Sequence, residues 1–479
     1  MSQDSHPRRC DGVLPGVYTR RDLLKTLTTA GFGYMAFAGL ATQTALAETK
    51  GGDAAARKSL LLPKQPHFAP RAKRVIFLGM EGAPSHLDTF DFKPKLIADD
   101  GKPGRDNEER SIIRPQFEFK QHGKSGAWVS ELFPHVATKV DEITFLKGMW
   151  TNAPALHPQA WPALHTGSPV FVRPSMGSWV LYGLGTVNQN LPGFISIKPA
   201  LAIGGGQPYE SAFLPSVFSA TRIGDSKTPI AKCDVSNIAN RAPTAKSQRA
   251  QIDLLQAQNR DLLKQGQLDP QVEGVIESYE LAFKMQAEVP DVTDLSKESQ
   301  ATFDAYGIGQ EETDDFGRQC LLARRFAEAG VRFIEVCYDD WDHHGQLVSG
   351  LKKSCKATDQ PIAALLTDLK ERGLLEETLV LWGGEFGRTA DSPKPDGRDH
   401  NNKGWTMWMA GGGVKPGFTY GATDDYGINA VDGRMDYHDL HATLLHILGL
   451  DHEKLTYRYG GRDFRLTDVS GEVHKSILA

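Results

Sequence analysis

The chain has 479 residues, is 40% hydrophobic and 24% charged, and carries a formal net charge of −5. That length suits one large α/β domain with insertions, or two domains, and 48 glycines and 27 prolines imply many loops. The slightly acidic balance excludes bulk nucleic-acid binding.

Residues 1–47 stand apart from any fold. Arg20 and Arg21 precede a weakly apolar run that contains glycines and threonines and ends in Ala45-Leu46-Ala47, a small-x-small cleavage signal. Thr19 to Lys25 resembles the twin-arginine export signal of bacteria. The expectation is a cleaved leader, the twin-arginine translocase as partner during export, and a mature chain in the periplasm or at the cell surface with no membrane span. Retention as a membrane anchor is the alternative, and the segment is short for that. The cysteines that remain, Cys233, Cys320, Cys337 and Cys355, are scattered and form no CxxC pair. This excludes a zinc ribbon and a disulfide framework; buried thiols are expected, with one disulfide as the alternative.

Residues 48–72 are polar and read as a linker, and 73–475 as a single domain. "KRVIFLGM" (73–80) is a continuous apolar run, expected as a buried strand, followed by the turn-rich "EGAPSHLDTFD". "ITFLKGMW" (143–150) is a second strand and "PSMGSWVLYGLG" (174–185) a short capped helix. Residues 186–300 read as an insertion, irregular to about 245 and then helical over 244–266 and 270–289. In the second helix Val272, Ile276, Tyr279 and Phe283 recur at helical spacing and are expected to pack into the core.

A clear alternation follows. "FGRQCLLARRFAEAG" is a helix stopped by Gly330, "VRFIEVCY" a strand, "PIAALLTDLKERGLL" a helix, "TLVLWGG" and "WTMWMAGGG" strands, and "YHDLHATLLHILGL" a helix. Such alternation predicts an α/β fold with a mostly parallel central sheet and helices on both faces.

In open α/β sheets ligands bind beyond the carboxyl ends of the strands. After the first strand come Ser85, His86, Asp88 and Asp91. After "VRFIEVCY" comes "DDWDHHG", with Asp342 and His344. After "TLVLWGG" come Glu385 and Arg388, and "GRDH" then supplies Asp399 and His400. Oxygen and nitrogen ligands from several strand ends suit one or two divalent ions, such as zinc, manganese or calcium. A single aspartate after a strand is as readily a helix N-cap, the favoured reading for Asp91. His343 adjoins His344 and must point elsewhere.

"EGAPSHLDTFDFKP", "WDHHG", "GGEFGRTA", "GRDHNNKGWTMWMAGGGVKPGFTYGATDDYG" and "YGGRDFRLTDVSG" resemble the bacterial family DUF1501, abundant in planctomycetes and often exported by the twin-arginine route. The likeness covers nearly all of residues 70–475. It implies an alkaline phosphatase-like fold, shared with sulfatases, and a metal-dependent hydrolase of sulfate or phosphate esters whose substrate is an anionic small molecule or glycan. By that resemblance the metal ligands would be Asp88, Asp342, His344, Glu385 and His400, with Glu81 competing for the place of Asp88. The sulfatase nucleophile motif is missing. Where a cysteine and an arginine would stand, "HPQAWPALHTG" has His157 and Trp161. A metal-activated water is therefore expected in place of a covalent nucleophile. His157 would serve as general base or as a further ligand, Arg388 would hold the anionic oxygens, and Ser85 is the fallback nucleophile. His438 is within reach of such a site, whereas His441 and His446 read as packing. The competing reading is a catalytically inactive, metal-stabilised binding scaffold at the cell surface. A redox protein finds no support, since the chain has neither CxxCH nor a dinucleotide fingerprint.

Overall fold

"RVIFLGM" is apolar at consecutive rather than alternate positions because it becomes one of the two central strands of a sheet covered on both faces. The computed structural model describes residues 59–479 apart from 106, 234, 236, 237, 239–243 and 266–269. The expected export signal lies outside the described residues.

The main sheet has eight strands. In chain order these are β1 (Arg74–Met80), β2 (Ile143–Met149), β3 (Phe194–Ile197), β4 (Thr221–Ile223), β5 (Phe333–Tyr338), β6 (Thr378–Gly383), β7 (Trp405–Gly411) and β8 (Phe418–Tyr420). Their order across the sheet is β8-β2-β7-β6-β1-β5-β3-β4. Neighbours pair in parallel except around β7, which runs antiparallel to both β2 and β6. Successive side chains of a strand point to opposite faces, and Val75 to Met80 are all buried, so both faces of the sheet are covered.

The main helices are α1 (His157–Thr166), α2 (Met176–Leu184), α3 (Ala245–Gln265), α4 (Pro270–Thr293), α5 (Asp314–Glu328), α6 (Leu347–Glu371) and α7 (Tyr437–Ile447). Their ends follow local chemistry. The Ser175 side chain accepts the Ser178 N–H at the start of α2. Asp436 and Asp439 form a capping box on α7. No helix of the described residues is long and apolar enough to cross a membrane.

Four expectations need correction. The segment read as an irregular insertion supplies β3 and β4, which extend one edge of the main sheet. Both are too short to show a period. The linker is not free from residue 59 onward: Leu61 and Ala72 are buried, and backbone N–H groups of Lys64, His67 and Arg71 donate to Leu184, Gly449 and Ile447. Helix α6 begins fourteen residues before Pro361, which sits buried inside it. Leu347, Leu351, Ser354, Cys355 and Thr358 supply the buried face of that earlier stretch. In α4 the buried residues are Gly274, Leu281, Met285 and Val289, and Tyr279 is exposed, so the inward face is not the one the spacing picked out. All four described cysteines are free, three of them buried and Cys233 half-buried.

Candidate metal centre

Strand register brings the chemistry together. Met80 of β1 pairs with Tyr338 of β5, and Gly79 pairs with Gly383 of β6. The loops that follow, carrying Glu81, Asp342 and Glu385, therefore leave the sheet at one level. Gly82 is what lets them close on each other. Its φ is +100°, and a Cβ there would lie 2.8 Å from the Asp342 nitrogen. Its N–H donates to Glu385 Oε1 at 3.1 Å. His157 opens α1, and His400 is delivered by a two-residue ribbon in which it pairs with Arg388.

His157, Asp342 and His400 present donor atoms that all lie within 4.8 Å of one another. Three imidazoles converge on one carboxylate oxygen: the Nε2 atoms of His157, His344 and His400 lie 3.2, 3.1 and 3.2 Å from Asp342 Oδ1. His344 Nε2 and His400 Nε2 are 2.8 Å apart. The other nitrogen of each ring faces an acceptor. Nδ1 of His157 hydrogen-bonds Glu385 Oε1, that of His344 lies 2.8 Å from Asp399 Oδ1, and that of His400 lies 2.7 Å from the Ala155 carbonyl. Each Nδ1 therefore carries the hydrogen, and in a neutral ring Nε2 is left as a lone pair.

Three lone pairs aimed at an anionic oxygen repel it unless a cation lies among them. Protons on the rings serve, and so does a metal ion. The donor set fits a divalent metal: three imidazoles and a carboxylate, each ring oriented through its far nitrogen by a carboxylate or a carbonyl. Charge in the cluster answers to the same contacts. Burial alone would lower the pKa of His157, but hydrogen bonds to Asp342 and Glu385 outweigh it and push it up to about 9. Burial raises Asp342, and His157, His400 and the Arg388 guanidinium overcome that and hold it well below the usual carboxylate range. Burial, with Glu385 and Asp339 nearby, lifts Glu81 to about 8. The cluster opens to solvent on the side where the Asp342 and His344 side chains are 42% and 44% exposed.

Four of the expected site residues gather in this cluster: His157, Asp342, His344 and His400. Four stand elsewhere. Glu385 is fully buried behind His157 and orients that ring. Asp88 is fully buried against Arg398, with Nε–Oδ2 at 2.7 Å, and also accepts the Gln116 N–H at 2.9 Å. Ser85 is buried too, and its hydroxyl donates to Asp88 Oδ2 at 2.5 Å, so it is spent on structure and not poised as a nucleophile. Arg388 is buried and does not face an incoming anion. Its Nε donates to the Ala83 carbonyl at 2.9 Å, its Nη1 to Arg398 O at 3.2 Å, and its Nη2 to the Gly82 and Trp341 carbonyls and Asp342 Oδ1. Asp91 is buried with Lys93 and Lys147, and its Oδ2 accepts from Thr423, so it caps no helix.

His343 turns away and packs against Gly350, as its adjacency to His344 requires. His438 and His441 sit at the far end of α1, where their Nε2 atoms bond the carbonyls of Gly167 and Leu164 at 3.0 and 2.7 Å. His446 packs on Phe68. Sequence reasoning misses Arg398 as the partner of Asp88, and Asp399 and Ala155 as supports of the histidines. Arg398 and Asp399 lie inside the "GRDH" stretch, which is the signal that could have found them. Nothing in the sequence marks the carbonyl of Ala155.

Solved structures with a similar chain path include three bacterial proteins. The lipoteichoic acid synthase LtaP from Listeria monocytogenes is 8% identical, over 85% of this chain and 78% of its own, with a TM-score of 0.37. The PsFucS1 sulfatase from Pseudoalteromonas sp. is 14% identical, over 80% and 68%, with a TM-score of 0.34. A protein in the alkaline phosphatase superfamily from Vibrio parahaemolyticus is 10% identical, over 82% and 70%, with a TM-score of 0.34. No curated protein matches the sequence. A family model described as "Protein of unknown function (DUF1501)" spans residues 72–478, and the chain belongs to that family.

Proposed function

We propose that the chain is an exported, metal-dependent hydrolase of sulfate or phosphate esters, acting on an anionic small-molecule or glycan substrate with water as the nucleophile. One observation carries this reading: three histidine Nε2 atoms and Asp342 Oδ1 point at one another beside the carboxyl ends of parallel strands, with one side open. His157, Asp342, His344 and His400 would hold the ion, and their imidazole-rich set favours zinc over calcium. When bound, a divalent ion supplies Lewis acidity, polarising an ester oxygen and making water nucleophilic near neutral pH. The chain's own groups do the rest. Glu385, Asp399 and the Ala155 carbonyl fix which nitrogen each ring presents. Arg388, saturated by carbonyls, holds Asp342 in place.

Water is favoured over a covalent route because no hydroxyl or thiol among the described residues hydrogen-bonds to the His–Asp cluster. The same observation supports the second reading, a metal-stabilised scaffold that binds an anionic partner without turnover. Export rests on the leader: Arg20-Arg21, the weakly apolar run and Ala45-Leu46-Ala47.

Elemental mass spectrometry, run beside hydrolysis of 4-nitrophenyl sulfate and phosphate, tests the site. Stoichiometric metal and turnover in the wild type, both lost in His400→Ala, are expected. No metal after metal-replete expression would sink the hydrolase mechanism. Stoichiometric metal with no ester turned over would leave the scaffold reading standing. For export, the N-terminus of protein recovered from the producing cell should follow Ala47, and a double Arg20→Lys, Arg21→Lys variant should stay in the cytoplasm. An intact N-terminus on exported protein would make the segment an anchor.

A further inference from the structure

A second concave site lies at the opposite end of α1. His157 begins the helix and Thr166 ends it, roughly 14 Å further along the axis. Beyond Thr166 a cavity of about 210 Å³ opens, lined among others by Phe171, Arg173, His438, Arg465 and Ser470. Arg173 is the unusual member. Its guanidinium lies over the Phe464 ring at 4.4 Å and over the Phe171 ring at 5.5 Å. Among the described residues it has neither hydrogen bond nor ion pair. A half-buried guanidinium has five N–H donors in a planar fork, and protein structures normally satisfy them.

The neighbouring charges are already engaged. Asp468, the carboxylate of the cavity wall, is held by Arg462 Nη2, and Arg465 Nε donates to the Asp468 carbonyl. Arg465 Nη1 lies 3.4 Å from Glu453. His438 Nε2 is bonded to Gly167 O. All five Arg173 donors are left over, and the guanidinium that carries them is held against two aromatic rings. The rim is apolar and exposed: Phe171 is 64% and Val469 80% exposed. Two faces therefore meet here, a forked cation inside and bare apolar surface at the mouth.

We propose that this cavity binds an oxyanion carried on a sugar ring, with the carboxylate, sulfate or phosphate seated on the Arg173 fork and the apolar face of the ring lying against Phe171. A forked guanidinium matches any of these three oxyanions in two parallel hydrogen bonds. The volume suits one ring-bearing anionic group and not an extended polymer. The site is separate from the His–Asp cluster and does not depend on the hydrolase reading.

The test uses the mature full-length protein and saturation-transfer NMR, with glucose 6-sulfate, glucose 6-phosphate, glucuronate, glucose and inorganic sulfate as probes. At least one ring anion should bind more tightly than both glucose and inorganic sulfate. Arg173→Ala should weaken it about tenfold or more, and Phe171→Ala by less. Arg173→Lys, which keeps charge and loses the fork, should fall between wild type and Arg173→Ala. Metal-stripped wild-type protein should keep the binding that Arg173→Ala removes. Unchanged thermal midpoints in the variants show that the fold survives; if Arg173→Ala lowers the midpoint, Phe171→Ala and Arg173→Lys decide in its place. No binding by any ring anion, equal binding by glucose or by inorganic sulfate, full retention in Arg173→Ala, or disappearance of the Arg173-dependent binding on metal removal would each overturn the proposal. The last of these would assign the anion to the His–Asp cluster.

Discussion

Two charged clusters lie beyond the carboxyl ends of the parallel strands, one in the loop after β1 and one gathered from α1 and the loops after β5 and β6, and they are built on opposite rules. In one, Asp88 and Arg398 are both fully buried, and every donor is matched: Arg398 bonds Asp88 and the carbonyls of Ile113, Arg114, Thr389 and Ala390, while Asp88 also takes Ser85 and the Gln116 N–H. In the other, three imidazole nitrogens face one Asp342 oxygen whose only fixed cation among the described residues is the Arg388 guanidinium on its buried side. By residue type the two look alike. What separates a structural ion pair from a ligand site is saturation: the first has no valence left to offer, and the second has too many acceptors at one point.

Breaking the closed cluster should cost the most stability. Asp88→Asn leaves the Arg398 charge buried and unpaired, and a loss of about 3–5 kcal/mol is expected in denaturant unfolding, with metal content of the folded fraction unchanged. Breaking the open cluster should do the reverse. His400→Ala should lower metal affinity by more than about 100-fold, beyond what an outer partner costs, while the metal-stripped protein unfolds at nearly the wild-type denaturant concentration. If His400→Ala unfolded the stripped protein as Asp88→Asn does, the contrast between the regions would be wrong. Glu385→Gln probes the layer between them. It keeps the shape and weakens the acceptor behind His157, so a loss of about 10–100-fold in metal affinity is expected in a chelator competition, with all ligands still present.

How much of this is legible in the sequence differs between the fold and the site. Continuous apolar runs such as 74–80 and 378–383 announce buried parallel strands, because a strand covered on both faces has no polar side to alternate with. The three-residue β4 and the four-residue β3 leave no such trace, since β3 is placed by pairing with β5 and β4 by pairing with β3. At the site, spacing after strands finds Asp342, His344 and His400, because parallel register aligns the loops that follow. It cannot separate Asp88 from them, because the partner that neutralises Asp88 arrives from residue 398. Nor can it tell ligand from support at Glu385, where the distinction is which ring nitrogen the carboxylate meets. His157, which the family resemblance sets where a sulfatase nucleophile would stand, lies in the cluster.

Acid sharpens the comparison from the closed side. His86 and His441 are fully buried, each with one carbonyl partner, Gly427 and Leu164. Burial drives their pKa values down to about 4 and about 3, from an ordinary 6.5. Below pH 6.5 the unfolded chain therefore binds protons that the folded chain refuses. Their stabilising contribution is complete above pH 6.5 and is lost as pH falls through the folded values, by roughly 1 kcal/mol per pH unit for each ring. Thermal midpoints measured on metal-stripped protein from pH 7 to pH 4 should fall steadily, and His441→Leu should flatten the slope. A flat wild-type profile would mean that these rings are not held neutral.

The smallest effect expected is also the most direct check on which cluster does chemistry. Ser85 follows β1 in a tight turn, the position a nucleophile would take, and only its partner argues against that role. Its hydroxyl is buried and donates to Asp88, whose Oδ2 also holds Arg398 Nε at 2.7 Å. Ser85→Ala therefore removes one hydrogen bond from an already neutralised carboxylate, worth about 1 kcal/mol. Metal content and any ester hydrolysis should match the wild type. Loss of turnover in Ser85→Ala with metal and fold intact would return the serine to the reaction, and would show that a saturated hydrogen bond in the resting protein is no bar to catalysis.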